Sequence, residues 1–199
     1  IKAKYTFIVQ KEHYEKYSLQ YLLNLIAPDC NIVQVDGITE GAACTTLLAK
    51  EFIDNDEPLL MANSDQFVEW DSNETLYAFS NGDCDGGILT FPASHPKWSY
   101  AKLDDDGFVS EVAEKKPISE HATVGVYWWK KGSDYVKYAE QMIEKNIRTN
   151  GEFYVCPVFN EAIEDDKRVR IKEIDKDGMW GIGTPEDLNY FLKNYEGDI

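Results

Sequence analysis

The chain has 199 residues and a formal net charge of −16, with 43% hydrophobic and 13% aromatic residues. This apolar content is enough for one packed domain and excludes a disordered tail. The negative charge repels phosphate backbones and anionic membranes, so we expect no nucleic-acid partner and no membrane partner. A small anionic substrate is compatible with this charge if a pocket supplies lysine or arginine locally.

The cysteines are widely spaced and include no CxxC pair: Cys30, Cys44, Cys84 and Cys156. This spacing predicts neither a zinc site nor a disulfide framework, and free thiols fit a reducing cytoplasm. No apolar stretch is long enough to span a bilayer, and no signal peptide is visible. The chain starts without Met and close to a strand, so we expect one domain over residues 1–199 that is incomplete at its N-terminus.

The first part of the chain alternates predicted strands and helices. Short β-branched and aromatic runs predict strands over residues 5–9, 31–35 and 59–63. Apolar side chains at helical spacing predict helices over residues 11–27 and 40–54. This alternation implies parallel strands with right-handed crossovers, and ligands bind beyond the carboxyl ends of such strands.

The second part predicts antiparallel insertions into the same domain. Its expected elements are a strand over 86–92, a hairpin over 100–114 turning at Asp106-Gly107, a strand over 122–129, helices over 133–146 and 155–164, a strand over 168–174, and a last helix opened by Pro185. We therefore expect a single α/β domain with a mixed, mostly parallel sheet.

Asp65 follows the third predicted strand, in the sequence Asn63-Ser64-Asp65. Small polar residues of this kind favour a turn or a helix cap. The functional alternative is a magnesium ligand, because Mg²⁺ takes carboxylate oxygens and is often held by one or two protein groups plus substrate phosphates. The local sequence leaves both interpretations open.

The segment EVAEKKP, residues 111–117, ends a predicted strand with Glu114, Lys115 and Lys116. Such a charge run is either a solvated strand end or a lysine presented to an anionic substrate, with a carboxylate beside it for hydroxyl groups. Two glycine-bearing segments, TEGAACTTLLAK (39–50) and MWGIGTPEDL (179–188), either permit close ligand approach or serve only helix packing and capping.

The order of these segments resembles the sugar-phosphate nucleotidylyltransferase family over almost the whole chain. The segments that carry the resemblance are the glycine-rich turn and helix, NSD, the DDG hairpin leading to EKKP, ATVGVYWW, GEFY and WGIGTPEDL. The chain is most similar to the branch found in bacterial capsule and surface-polysaccharide gene clusters. The resemblance implies a Rossmann-like, three-layer nucleotidyltransferase (GT-A-like) fold.

The resemblance also implies roles for individual residues. Asp65 would bind the catalytic Mg²⁺, and Lys115 would contact the acceptor phosphate. The nucleotide would lie against Thr39, Glu40, Gly41 and Ser64. The pocket for the phosphorylated acceptor would be lined by Glu114, Lys116, Gly125, Glu152 and Tyr154. Lys116 is an alternative to Lys115 as the phosphate contact, because the lysine run has one extra residue.

Two features depart from the family pattern. The family's first strand and its glycine-rich, arginine-ended loop, which wraps the triphosphate, have no counterpart here, and a unit of this type spans roughly 30 residues. A chain that truly lacks this loop is expected to be nearly inactive. Where many members place a second metal-binding aspartate, this chain has Gly181, and Asp177 is a weak substitute.

The expected reaction is transfer of a nucleoside monophosphate from an NTP to a phosphorylated small molecule, with pyrophosphate released and CTP favoured as the donor. Which NTP and acceptor are used stays open, as does the oligomeric state, a homodimer included. One alternative is a GT-A glycosyltransferase, for which Asp83-Cys84-Asp85 and Asp104-Asp105-Asp106 match a DxD pattern by letter. Another is a non-catalytic nucleotide-binding domain.

Overall fold

The structure, a computed structural model, describes residues 2–197 and has ten strands and eight α-helices within them. The strands are β1 (Thr6–Gln10), β2 (Asn31–Val35), β3 (Leu59–Ala62), β4 (Gln66–Val68), β5 (Gly86–Pro92), β6 (Ser99–Leu103), β7 (Val109–Glu114), β8 (His121–Trp129), β9 (Val169–Glu173) and β10 (Met179–Gly181). The helices are α1 (Lys11–Lys16), α2 (Leu19–Ile26), α3 (Ala42–Leu47), α4 (Lys50–Ile53), α5 (Ser72–Asn81), α6 (Gly132–Glu144), α7 (Val158–Glu164) and α8 (Pro185–Asn194).

Strand β8 is the centre of a six-stranded mixed sheet. Strand β5 pairs along one edge of β8, from Trp129 to His121. The other edge is shared, because β3 pairs with the Val126–Trp129 half and β6 pairs at Ala122. Strand β7 extends the sheet beyond β6, and β9 extends it beyond β5. The segment around Gly125 therefore lies where β3 and β6 part, which leaves an opening beside the end of β3.

Apolar side chains cover both faces of this sheet, because successive residues of β8 point to opposite sides. Tyr127 and Trp129 join the core formed with α6 and α7. Val126 and Trp128 belong to cores on the other face, where Trp128 stacks on Phe79 of α5 at 5.8 Å between ring centroids. Helices on both faces give the three layers, and the α/β fold with a mixed sheet is confirmed.

The sheet contains more antiparallel pairing than the alternating elements predicted. Among the described residues only β1–β2 and β5–β9 run parallel, and the other pairs are antiparallel. The alternation predicted a parallel β3, but β3 pairs with β8, which comes some sixty residues later in the chain and runs the opposite way. Alternation identifies strands, but it does not determine their hydrogen-bond partners.

Two predicted helices are each divided in two. The helix expected over 11–27 breaks at Ser18, whose φ of 51° is left-handed, so α1 and α2 follow different axes. The helix expected over 40–54 ends early because the amides of Leu48 and Ala49 bond three residues back, which tightens the last turn. Hydrophobic spacing continues through both breaks, so the pattern alone does not reveal them.

Three elements were not predicted from the sequence. Helix α5 begins at an Asp71 cap, whose side chain accepts a hydrogen bond from the Glu74 amide at 2.8 Å. Strands β4 and β10 are only three residues long and pair with each other.

The four cysteines are free thiols, as expected. No helix within residues 2–197 is long and apolar enough to cross a membrane.

Candidate functional site

Asp65 lies just beyond the end of β3, where the chain meets the glycine-rich loop at residues 181–183. The Asp65 backbone carbonyl accepts a hydrogen bond from the Ile182 amide at 2.9 Å, and its side chain is exposed. A Cβ atom placed on Gly183 would lie 3.1 Å from Asp65 Oδ2. The small size of Gly183 therefore leaves room for this carboxylate beside the loop.

Gly125 adjoins the same segment from β8. Its φ of +76° is a conformation that favours glycine, and an added Cβ would collide with the Asn63 side chain. The Asn63 amide donates to the Gly125 carbonyl at 3.0 Å, and the Gln66 side-chain amide donates to the Val124 carbonyl. These two bonds attach the chain on both sides of Asp65 to β8, at the opening between β3 and β6.

This region offers Mg²⁺ one carboxylate ligand, that of Asp65. Gly181 pairs with Gln66, and a Cβ on Gly181 would meet no atom within 4 Å. Asp177 lies in a 3-10 helix and is exposed. Across residues 2–197, no three His, Cys, Asp or Glu side chains come together as a metal site. A single carboxylate still fits a Mg²⁺ ion that takes its other ligands from phosphates and water.

Lys115 lies at the end of β7 in a left-handed backbone conformation, with φ of 56°. Its amide donates to the Trp98 carbonyl at 3.0 Å. Its Nζ donates to the Tyr154 hydroxyl at 2.5 Å and lies 4.7 Å from the centre of that ring. The hydrogen bond to Tyr154 raises the pKa of Lys115, so the ammonium is charged at neutral pH. Lys116, by contrast, has no hydrogen-bond or ion-pair partner among residues 2–197.

Glu114, next to Lys115, is half-buried and accepts a hydrogen bond from the Ser99 hydroxyl. Burial raises the pKa of the Glu114 carboxyl, and the hydrogen bond from Ser99 and the charge of Lys115 oppose that shift. Glu114 is thus a carboxyl with a raised pKa, next in sequence to an ammonium group that Tyr154 holds in place. An ammonium can bind a phosphate, and a carboxylate can accept hydrogen bonds from hydroxyl groups.

Two buried, uncharged side chains lie near Glu114. Tyr127 and Cys156 are both buried, and burial raises the pKa of each of them. The Tyr127 hydroxyl forms a hydrogen bond with Thr123 Oγ1 at 3.0 Å. Because both groups stay neutral near pH 7, Glu114 and Lys115 supply the charge at this point.

Thr39, Glu40 and Gly41 lie in the loop before α3. The Thr39 hydroxyl donates to the Gly41 carbonyl at 3.0 Å. Gly41 has φ of +132°, and a Cβ there would lie 2.5 Å from both the nitrogen and the oxygen of Phe153. Close packing against Phe153 is therefore enough to explain a glycine at position 41. Contact between Gly41 and a nucleobase stays a prediction. Helix α3 has only six residues, so we assign no phosphate site to its N-terminus.

Phe153 joins this loop to the acceptor-side residues. Its amide donates to the Glu40 carbonyl at 2.9 Å, and its own carbonyl accepts from the Ala43 amide at 2.9 Å. Glu152 and Tyr154 flank it in sequence, so the loop at 39–41 and the Lys115–Tyr154 pair are neighbours. Ser64 is exposed between Asn63 and Asp65. The roles of all these residues stay predictions.

Ser99 and Arg148 are two residues of this region that the sequence did not indicate. Ser99 lies opposite Glu114 in the β6–β7 register. Extending the predicted hairpin by one residue from its turn at Asp106-Gly107 would have paired the two. Arg148 bonds to Glu40 across more than a hundred residues of chain, and nothing local to either residue indicates that contact.

Several solved structures share the fold of this chain. A nucleoside-diphosphate-sugar pyrophosphorylase from Vibrio cholerae RC9 matches with a TM-score of 0.82 and 22% identity, over 97% of this chain and 82% of that one. The inositol-1-phosphate CTP transferase from T. maritima matches with a TM-score of 0.67 and 13% identity, over 95% and 74%. A UDP-glucose pyrophosphorylase complexed with UDP-glucose matches with a TM-score of 0.68 and 15% identity, over 95% and 81%.

At these identities the likeness concerns the fold. No family model matches the sequence, and no curated protein sequence matches it either. The chain has the α/β, mixed-sheet fold of sugar nucleotidyltransferases and pyrophosphorylases.

Proposed function

We propose that the protein transfers a nucleoside monophosphate from an NTP to a phosphorylated sugar or a related small metabolite. The observation that carries this proposal is the Lys115 ammonium, which Tyr154 holds at the end of β7 beside the Glu114 carboxyl. The fold shared with sugar nucleotidyltransferases supports it.

In this reaction a phosphate oxygen of the acceptor attacks the α-phosphorus of the NTP. The new P–O bond forms as the bond from the α-phosphorus to the bridging oxygen breaks, and pyrophosphate leaves with that electron pair. Little covalent chemistry falls to the protein. Catalysis comes from holding the two phosphates in line and from neutralising their charge.

Lys115 would hold the acceptor phosphate. An ammonium group has three donors, and one of them is used by Tyr154. The remaining two are available for phosphate oxygens, and the Tyr154 ring limits where the ammonium can go. Glu114 would accept hydrogen bonds from acceptor hydroxyl groups, and Lys116, Gly125 and Glu152 would line the rest of the acceptor site.

Asp65 would hold Mg²⁺ beside the glycine-rich loop. Such an ion supplies charge neutralisation at the α-phosphate and at the leaving pyrophosphate. The carboxylate is exposed, and the absence of a side chain on Gly183 leaves the space beside it free for a ligand.

Thr39, Glu40, Gly41 and Ser64 would contact the nucleotide. We propose CTP as the donor and a role in surface-polysaccharide biosynthesis. The resemblance to the capsule-cluster branch favours both, and a matching solved structure is described as a CTP transferase.

The glycosyltransferase alternative receives no support from its two DxD matches. Asp83 is bonded to Arg168 and Arg170, at 3.0 and 3.1 Å. Asp104 is a turn residue, whose side chain accepts hydrogen bonds from the amides of Asp106 and Phe108. Asp83 is therefore engaged in ion pairs with two arginines distant in sequence, and Asp104 stabilises a turn.

Pyrophosphate release tests the proposal. The purified chain is incubated with Mg²⁺, each of the common NTPs and a panel of phosphorylated sugars and polyols. We expect release only when the correct NTP and acceptor are both present. Transfer of sugar from a nucleotide sugar, without pyrophosphate, would favour the glycosyltransferase. Nucleotide binding with no turnover on any pair would favour a non-catalytic domain.

A further inference from the structure

The side chain of Arg148 joins the turn at residues 146–153 to the loop at residues 39–41, in addition to the backbone hydrogen bond between Phe153 and Glu40. Its Nη2 donates to Glu40 Oε2 at 2.5 Å, and its Nη1 donates to the Gly151 carbonyl at 2.9 Å. Its Nε donates to Asn146 Oδ1 at 2.7 Å. The guanidinium carbon also lies 3.9 Å from the centre of the Phe153 ring.

These contacts use the fixed geometry of arginine. A guanidinium presents its donors in a rigid planar fork and can stack on an aromatic face. Lysine could pair with Glu40, but it could not at the same time bond Gly151 and Asn146 and cover Phe153. Arg148 therefore has a role in this turn that its charge alone does not explain.

The turn needs such support because its backbone is unusual. Asn146, Asn150 and Gly151 all have positive φ values, of 54°, 50° and 86°. Thr149 and Glu152 bond to each other across the turn, with both N···O distances at 3.0 Å. Conformations of this kind persist when surrounding contacts hold them in place.

The turn leads directly to the acceptor-side residues. Phe153 exchanges backbone hydrogen bonds with Glu40 and Ala43, and Tyr154 then holds the Lys115 ammonium. A continuous set of contacts thus runs from Glu40, through Arg148 and Phe153, to Lys115. It joins the loop proposed to contact the nucleotide with the group proposed to contact the acceptor phosphate.

We propose that Arg148 is a positioning residue that couples the two substrate subsites. It acts through Glu40 and Phe153 and touches neither substrate. This inference rests on the proposed function for the identity of the two ligands. Because coupling between binding sites is reciprocal, the factor by which an NTP at the 39–41 loop changes the affinity for the acceptor equals the factor by which the acceptor changes the affinity for the NTP. We expect both affinities to rise, because a ligand that orders this shared set of contacts reduces the ordering cost for the second ligand.

The test compares Arg148→Gln, Arg148→Lys and Glu40→Gln with a control, Lys131→Gln. Lys131 forms a similar exposed ion pair, with Asp56 at 2.7 Å, outside the proposed site. The first measurement is amide hydrogen exchange of residues 149–154 without ligand. We expect exchange in Arg148→Gln and Glu40→Gln to be about three- to tenfold faster, with a smaller increase in Arg148→Lys and none in the control.

The second measurement is KM for each substrate, using CTP and the acceptor identified by pyrophosphate release. In Arg148→Gln we expect both KM values to rise about three- to tenfold while kcat changes by less than about twofold. Unchanged exchange in Arg148→Gln, or a rise in one KM only, would overturn the coupling role. If the wild-type chain releases no pyrophosphate on any pair, the proposed function fails, and hydrogen exchange still decides whether Arg148 holds the turn.

Discussion

The Lys115 ammonium lies 2.5 Å from the Tyr154 hydroxyl and 4.7 Å from the centre of the same ring, although 39 residues separate the two in sequence. This contact distinguishes Lys115 from its neighbour Lys116. It places a charged donor beside Glu114 at the end of a strand, and the proposed acceptor site is built on it.

Replacing each lysine in turn tests that distinction. In Lys115→Ala we expect the KM for the phosphorylated acceptor to rise about ten- to hundredfold, because a charge-assisted hydrogen bond to phosphate is lost. In Lys116→Ala the change should stay within about twofold, since exposed charges contribute little. Steady-state kinetics of pyrophosphate release provide the measurement. A larger effect at Lys116 would reverse the assignment.

Asp65→Asn tests the magnesium site. The substitution keeps the size of the side chain and removes its charge, so pyrophosphate release should fall by about a hundredfold or more. The midpoint of thermal unfolding should stay close to wild type, because the carboxylate is exposed. Asp105→Asn, at an exposed aspartate in the turn between β6 and β7, is the matched control and should keep its activity. Near-normal turnover in Asp65→Asn would remove Asp65 from the mechanism.

Gly181→Asp should strengthen the response to Mg²⁺. A Cβ at Gly181 would meet no atom within 4 Å, so the new side chain has space, and it would add a second carboxylate near Asp65. We expect the Mg²⁺ concentration for half-maximal activity to fall about tenfold, because ligand charge sets affinity for hard cations. Gly181→Asn controls for size. Equal Mg²⁺ dependence in the two variants would show that position 181 does not face the ion.

Glu114 should give acceptor binding a dependence on pH. Burial raises the pKa of this carboxyl, so it ionises at a higher pH than an ordinary glutamate. Because the ionised form accepts hydrogen bonds, acceptor KM should decrease as pH rises through that raised pKa. Glu114→Gln should abolish this dependence. In Ser99→Ala the stabilising hydrogen bond is lost, so the dependence should move to higher pH, and a move to lower pH would contradict the assignment.

Gly41→Ala should destabilise the fold. A Cβ at Gly41 would lie 2.5 Å from two backbone atoms of Phe153, and its φ of +132° is rarely adopted by other residues. We expect a loss of about 2–4 kcal/mol in the free energy of unfolding by urea. Gly37→Ala is the control, because Gly37 also has a positive φ but open space around it, and it should cost about 1 kcal/mol. Equal losses would show that the Phe153 contact is not limiting.

The sequence was most informative about individual elements. Strands β2, β5 and β8, the β6–β7 hairpin and helix α8 lie close to where β-branched runs, the Asp106-Gly107 turn and Pro185 predicted them. It was less informative about interruptions. A single left-handed residue at Ser18 and two tightened bonds at Leu48 and Ala49 divide helices whose apolar spacing continues unchanged.

The sequence by itself determined the type of each strong element and which short segments carry unusual residues, because propensity, turn chemistry and periodicity are local properties. Only the tertiary structure decided that β3 pairs with β8, that Asp65 faces Gly183, and that Lys115 is held by Tyr154 and Glu40 by Arg148. These contacts join segments from 39 to more than a hundred residues apart. Their formation depends on how the layers pack around the sheet, and no local pattern encodes that.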